Sequence, residues 1–404
     1  MSLGRRIVWL SSLYLVQGLP FGFQAAALPA FLRESGVSLT EIGFLDLLAL
    51  PWLLKALWSP VVDRFGSSRW GRRRSWILPL QLILAVVCVG CSFAPPDRAL
   101  ALLLGLIFSA NLVAATLDVA VDGLAVDLLE ERHLGLGNTA QVVGFKVGML
   151  IGGGLLVWAS GFLGFENLFR IMALLVLVGL AISAVHREPE STTEPEAKVG
   201  EIVGHLKEAF LQSGAWRLLV VVATYKIGEK MADAMFGPFL IDAGYTPAQL
   251  GLWLGTWGMI CSLGGSLFGG LVAIRMRLVD ALMLTALLRI VPHAAQCGLA
   301  WAGDPQPPAI IAVTCAEAFF GGALTTVMFA FMMSRVDRRI GATHYTLLAS
   351  VEVFGKFPAA PIAGYVGDHY GYVPVFAAAT LVSALYLLVL PLVRRPSSES
   401  PASF

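Results

Sequence analysis

Long apolar runs alternate with short polar connections along almost the whole chain. The runs cover 8–32, 40–62, 74–94, 99–128, 136–159, 166–186, 215–241, 247–272, 279–301, 308–334, 341–366 and 371–393. A helix needs about 20 apolar residues to cross the hydrocarbon core, so the pattern predicts an all-α integral membrane protein with about 12 transmembrane helices. One connection is long. Residues 187–214 begin with a Pro/Glu/Ser/Thr-rich stretch and continue, from Ile202 to Leu211, with apolar residues at helical spacing. The first part reads as a linker and the second as an amphipathic helix along the membrane surface. The expected domains are a six-helix bundle over 1–186, the linker 187–214, and a second six-helix bundle over 215–404.

Composition agrees with the pattern. Of 404 residues, 57% are hydrophobic and 14% are charged, against about 25% charged in soluble proteins. A net charge of +1 supplies no basic field for nucleic acid. The five cysteines lie in apolar runs. Cys88 and Cys91 form a CxxC without a second pair or a nearby histidine, so they read as small core residues and no metal site is expected. Arg5, Arg6 and the alanines at 25–27 imitate a secretory signal. The first run nevertheless continues past twenty residues and contains Gln17 and Pro20, which predicts a retained helix. Roughly 19 of the Lys and Arg residues in connections and tails fall on the side of the N-terminus and about two on the other, which puts both termini and the linker in the cytoplasm.

The seventh run contains the stretch TYKIGEKMADAMF, residues 224–236. Lys226, Glu229, Lys230 and Asp233 fall at i, i+3, i+4 and i+7, one face of a continuous helix. Unpaired at the bilayer centre, each costs about 2.5–3.5 kcal/mol. The set would cost roughly 10–14, comparable to the whole stability of a domain. The face must therefore be paired, wet, or both. Charges inside a membrane also mark pathways. Further polar groups lie in other runs: Gln17 and Gln24 in the first, Asp46 and Lys55 in the second, Asp118 and Asp122 in the fourth, Lys146 in the fifth, Arg289 in the ninth, Glu317 in the tenth, and Glu352 and Lys356 in the eleventh. Lys146 and Lys356 are expected to meet acids of the fourth or tenth run. Asp127, near a run's end, is expected to reach water. Pro20 predicts a kink in the first helix, and Gly152–Gly154, Gly264–Gly265 and Gly321–Gly322 predict close helix approach.

The connection after the second run reads Asp63-Arg64-x-Gly66, then Gly71-Arg72-Arg73-Arg74. It is similar to the loop signature Gly-x-x-x-Asp-Arg-x-Gly-Arg-Arg of the major facilitator transporters, with Ser59 in place of the first Gly and 67–70 inserted. An echo follows the eleventh run at Gly364-x-x-x-Asp368-x-x-Gly371. The stretches at 13–22, 50–63, 71–81, 117–129, 224–233 and 342–356 resemble, in order, the branch of that superfamily that holds muropeptide permeases, acetyl-coenzyme A transporters and siderophore permeases of the RhtX/FptX kind. The resemblance implies the major facilitator fold, with spans 1, 4, 7 and 10 around a central cavity, and gradient-driven movement of a bulky polar solute by alternating access. The Gln17-Gly18-Leu19-Pro20 start and the compact length look closer to the siderophore permeases, since the bacterial muropeptide permease has further C-terminal helices. Ferric siderophore uptake is therefore the first expectation, with a muropeptide or an acetyl-coenzyme A-like solute as alternatives.

The expected substrate-binding or proton-coupling residues are Gln17, Asp118, Asp122, Lys146, Lys226, Glu229, Lys230, Asp233, Glu317, Glu352 and Lys356. Asp63, Arg64, Gly66, Arg72 and Arg73 are the expected loop gate. The expected partners are the small solute, a proton and membrane lipid, with no cofactor. An enzyme would need converging nucleophile, base or metal ligands. His293 and His344 are single histidines, and the chain contains no HExxH, GxSxG or phosphate loop. A sensor or scaffold would keep partner binding after loss of the membrane charges.

Overall fold

The structure, a computed structural model, describes residues 3–67, 71–129, 134–186, 215–335 and 341–393. The linker 187–214 with its expected surface helix lies outside them, as do the side chains of Asp63, Arg64 and His344. Among the described residues, nine helices are long and apolar enough to cross a membrane: Leu3–Glu34, Arg74–Cys91, Pro96–Ala125, Ala140–Leu163, Phe165–Val185, Pro247–Arg275, Leu278–Ala302, Pro307–Ser334 and Tyr372–Val393. They match nine of the twelve expected runs. The other three, the second, seventh and eleventh, are helical but interrupted, which corrects the expectation of continuous spans there.

Each interruption has a local cause, and each interrupted stretch includes a lysine, Lys55, Lys226 or Lys356. The second span is a relay of short pieces, Leu39–Gly43, Phe44–Ala49, Leu50–Leu54, Lys55–Leu57 and Ser59–Arg64. Pro51 and Pro60 stand at the starts of two of them, where a missing N–H costs nothing but the preceding helix cannot continue. The seventh span breaks into Ala215–Thr224 and Ile227–Asp242 around Tyr225 and Lys226. The Thr224 hydroxyl donates back to the Val220 carbonyl at 2.7 Å, a bond that bends helices. The eleventh span stops at Lys356 and resumes at Ala359, because Pro358 disfavours helix at Phe357.

By internal packing the chain forms two compact units. The first comprises Met1–Ser38, Phe44–Glu194 and Leu240–Met259. Its centre is the first span against the fifth. Gly144, Gly148 and Gly152, four residues apart, let that helix approach the backbone of Ser11, Leu15 and Leu19, as small residues do between membrane helices. The first helix stays α-helical through Pro20, and the irregularity comes later, as a π-turn over Phe23–Ala27. At the end of this span Arg33 makes a two-pronged pair with Asp242, at 2.7 and 2.6 Å.

The second unit comprises Leu39–Gly43, Pro195–Phe239 and Ile260–Phe404. Its apolar core includes Tyr225, Met328, Phe331, Leu348, Tyr386 and Leu390. Gly265 and Gly269 face the backbone of Phe319 and Ala323. The Asp368 carboxylate accepts from the Leu39 and Thr40 N–H groups at 2.9 and 2.8 Å and from the Thr40 hydroxyl at 2.6 Å. The second loop-like motif of the sequence is thus a helix cap, and its Gly364 lies against the Leu39 backbone that Asp368 caps.

Candidate functional site: two polar clusters on interrupted helices

In the first unit the second span is tied to the fourth at three points. Trp52 Nε1 donates to Asn111 Oδ1 at 2.9 Å, Lys55 Nζ pairs with Asp118 Oδ2, and Trp58 Nε1 donates to Thr116 Oγ1 at 3.2 Å. The tying residues are three apart, and 3₁₀ turns eclipse side chains at that spacing. Interruption of the helix thus sets Trp52, Lys55 and Trp58 on one line against the fourth span. Asn111 in turn donates to Gln24. Trp52 also meets Phe21 and Phe145 edge-on, with ring centroids 5.9 Å apart in each case, and the Lys55 ammonium lies 5.6 Å from its ring centroid.

One turn beyond Asp118, Asp122 is held differently. Its Oδ1 accepts from the Tyr14 hydroxyl at 2.7 Å and from Gln141 Nε2 at 3.2 Å. The two acids therefore differ in chemistry. Asp118 is matched by a cation, and Asp122 by two neutral donors.

The second unit holds a larger ion network, built around the breaks in the seventh and eleventh spans. Lys226 Nζ lies 3.9 Å from Glu229 Oε1 and 3.6 Å from Glu352 Oε1. Lys356 Nζ lies 2.8 Å from the same Glu352 oxygen. Arg289, its side chain only 2% exposed, pairs with Glu317 through both its carboxylate and its main-chain carbonyl. Its Nη2 also lies 3.3 Å from Glu229 Oε2, close as an ion pair though not aligned as a hydrogen bond. Asp233, one turn beyond Glu229, is exposed. His293, one turn from Arg289, is fully buried with Nδ1 2.9 Å from Ser383 Oγ. Gly228 meets Ser383 and the Ala379 carbonyl across the interface, so the charged half of the seventh span packs directly on the twelfth.

The expected residues thus sort into two groups. Asp118 and Asp122 belong to the first cluster; Lys226, Glu229, Asp233, Glu317, Glu352 and Lys356 belong to the second. Lys146 and Lys230 are half-buried on the fifth and seventh spans. Gln17 is fully buried in helix packing, its amide without a hydrogen-bond partner among the described residues. Three expectations need correction. The charges of the seventh span do not lie on one unbroken helix face, because the helix breaks at Lys226, whose shorter contact is with Glu352 of the eleventh span. Lys356 meets Glu352 on its own span rather than an acid of the fourth or tenth. Asp127 has a side chain only 5% exposed and lies 3.5 Å from Arg72 Nη2 and 3.4 Å from Arg73 Nε, with the Arg73 guanidinium packed on Gly123. The arginine loop is therefore anchored on the end of the fourth span.

Arg289 was legible only as one charge in an apolar run; its place at the hub depends on spans seven, nine and ten meeting. Tyr14, Trp52, Asn111 and Gln141 carry no sequence signal of their own.

The major facilitator superfamily model matches residues 10–341. The chain is 28% identical over 378 residues to the anhydromuropeptide permease of Escherichia coli (strain K12), covering 92% of this chain and 77% of that one. It is 26% identical over 391 residues to putative transporter AmpG 4 of Rickettsia conorii (strain ATCC VR-613 / Malish 7), covering 93% of each. Among solved structures, a bacterial homologue of the human lysosomal transporter Spinster, inward-facing and unoccupied, superposes with a TM-score of 0.72 at 17% identity over 97% of this chain and 98% of that one. The nucleoside transporter NupG does so with a TM-score of 0.72 at 13% identity over 96% and 99%. With nine helices among its described residues long and apolar enough to cross a membrane, a family match over most of its length and the same fold in two solved transporters, the chain belongs to the major facilitator superfamily.

Proposed function

We propose that this protein is a secondary active transporter that carries a muropeptide-type solute, a sugar joined to a short peptide, across the cytoplasmic membrane by alternating access coupled to protons. One observation carries the substrate reading: the match over 92% of the chain to a permease named for anhydromuropeptides. The chemistry of the clusters suits such a solute. Lys226, Arg289 and Lys356 are cations able to exchange an internal carboxylate for one on a peptide. The rings of Trp52, Phe21 and Phe145 suit the apolar face of a sugar. Siderophore uptake, the first expectation from sequence, has the weaker support, since the Escherichia coli relative is named for anhydromuropeptides and neither relative named above is named for a siderophore.

The excess of Lys and Arg on the side of the N-terminus supports both termini facing the cytoplasm. Proton entry supplies the driving force. One charge crossing 100 mV is worth about 2.3 kcal/mol, or roughly fiftyfold accumulation. The test is uptake by inverted and right-side-out vesicles of radiolabelled anhydromuropeptide against a ferric siderophore. Proton-dependent uptake of the first alone is expected. Uptake of the siderophore alone overturns the substrate reading.

A further inference from the structure

We propose that Asp122 holds the coupling proton, in a pocket made by Tyr14 and Gln141. This rests on the transport reading above and assigns its coupling step to one side chain. Asp118 and Asp122 lie one turn apart on the fourth span. Asp122 Oδ1 accepts from the Tyr14 hydroxyl of the first span at 2.7 Å and from Gln141 Nε2 of the fifth at 3.2 Å. Lys55 of the second span pairs with Asp118. The titratable groups facing Asp122 are therefore Tyr14, Asp118 and, through Asp118, Lys55.

Charge balance singles out Asp122. Among the described ion pairs of the first cluster, one cation, Lys55, meets the two acids of the fourth span, and it meets Asp118. With both acids ionised the cluster carries one negative charge too many for a site inside the membrane. A proton on one acid removes that charge. Lys55 favours the ionised form of Asp118, so the proton falls to Asp122. The second cluster needs none. There Lys226, Lys356 and Arg289 meet Glu229, Glu352 and Glu317, three cations for three acids.

The neighbours of Asp122 suit a proton that comes and goes. A tyrosine hydroxyl donates to a carboxylate or accepts from a carboxylic acid, and a glutamine N–H donates to a carboxyl oxygen in either state. A lysine in their place would hold the acid ionised. Asp122 is half-buried, so part of it stays open to proton exchange, whereas Tyr14 is 2% exposed and fixed in the helix packing. When the proton departs to water, two carboxylates one turn apart share a single lysine. The cluster then attracts either a new proton or a cationic group of the solute. Protonation thereby sets how the fourth span is held to the first, second and fifth.

The experiment uses the full-length protein in proteoliposomes, comparing Asp122→Asn and Asp233→Asn with the wild type. Asp368→Asn, at the helix cap outside both clusters, is the control. Two readouts are taken: gradient-driven accumulation of radiolabelled anhydromuropeptide, and its exchange at equilibrium. Asp122→Asn keeps an oxygen for Tyr14 and Gln141. It should lose accumulation, from roughly fiftyfold to none, while retaining exchange. Asp368→Asn should keep both. Infrared difference spectra over a pH titration of the purified protein give a readout independent of any solute and of yield. The carboxylic-acid band of the wild type should disappear in Asp122→Asn and persist in Asp368→Asn. Accumulation by Asp122→Asn at the wild-type level, or an acid band that survives in Asp122→Asn and is lost in Asp233→Asn, overturns the assignment. A wild type that exchanges no muropeptide overturns the proposed substrate, and the infrared comparison still decides whether Asp122 carries the proton.

Discussion

Lys226 and Glu352 meet at 3.6 Å across the break of the seventh span, and Lys356, at the break of the eleventh, sits 2.8 Å from the same carboxylate oxygen. One carboxylate therefore closes two helix interruptions. Interrupted membrane helices leave main-chain groups and charges that must be satisfied inside the protein. Glu352, its side chain 6% exposed, answers two of those charges. Glu352→Gln should leave both lysines short of an anion and cost about 3–5 kcal/mol, as removal of one member of a buried pair does. Thermal unfolding in detergent measures it. A melting temperature equal to wild type would mean that the carboxylate is not a structural bridge.

Arg289 offers the complementary case. Arg289→Ala leaves Glu229 and Glu317 without their shared cation, and folded yield should fall sharply. Adding Glu317→Gln removes one of the stranded charges, so the double variant should recover part of the loss, a coupling of about 0.5–3 kcal/mol. Strictly additive losses in a double-mutant cycle would contradict the hub.

The first cluster makes a different prediction. If the face of Trp52 takes a sugar ring, Trp52→Leu should weaken the apparent affinity for anhydromuropeptide by about fivefold, the order of 1 kcal/mol that an aromatic contact contributes. The maximal exchange rate should hold. Trp52→Phe, which keeps a ring but loses the bond to Asn111, should fall between. An unchanged affinity in Trp52→Leu, with exchange intact, would remove the ring from the binding surface.

Much of this was legible in the sequence because membrane helices announce themselves. Nine continuous spans follow from apolar length alone, and the charges in the seventh run required partners on energetic grounds. Helical spacing then misled at the same place. It set Lys226 through Asp233 on one uninterrupted face, whereas the helix breaks at Lys226, and Glu352 on the eleventh span and Arg289 on the ninth come within ion-pair reach of Lys226 and Glu229. Pro51, Pro60 and Pro358 were visible as breakers, but a proline in an apolar run reads equally as a kink. The trio of Trp52, Phe21 and Phe145 could not be found from spacing, since it joins three different spans. Asp127 was misjudged because nearness to a helix end says nothing about which arginine folds over it.

Asp368 gives a prediction outside both clusters. It accepts three hydrogen bonds from Leu39 and Thr40. Asp368→Ala should lower stability by about 1–2 kcal/mol, the range for losing a cap, while Asp368→Asn, which keeps an acceptor, should lose less. Equal melting temperatures for all three proteins would show that the cap contributes nothing.

If ionised side chains on interrupted helices serve proton-driven transport of a muropeptide, the most direct measurement is the uptake of radiolabelled anhydromuropeptide by proteoliposomes holding the purified protein, with and without an imposed proton gradient. Accumulation that collapses when a protonophore is added is the expected result. Uptake that proceeds unchanged without the gradient, or no uptake of the muropeptide at all, would contradict it.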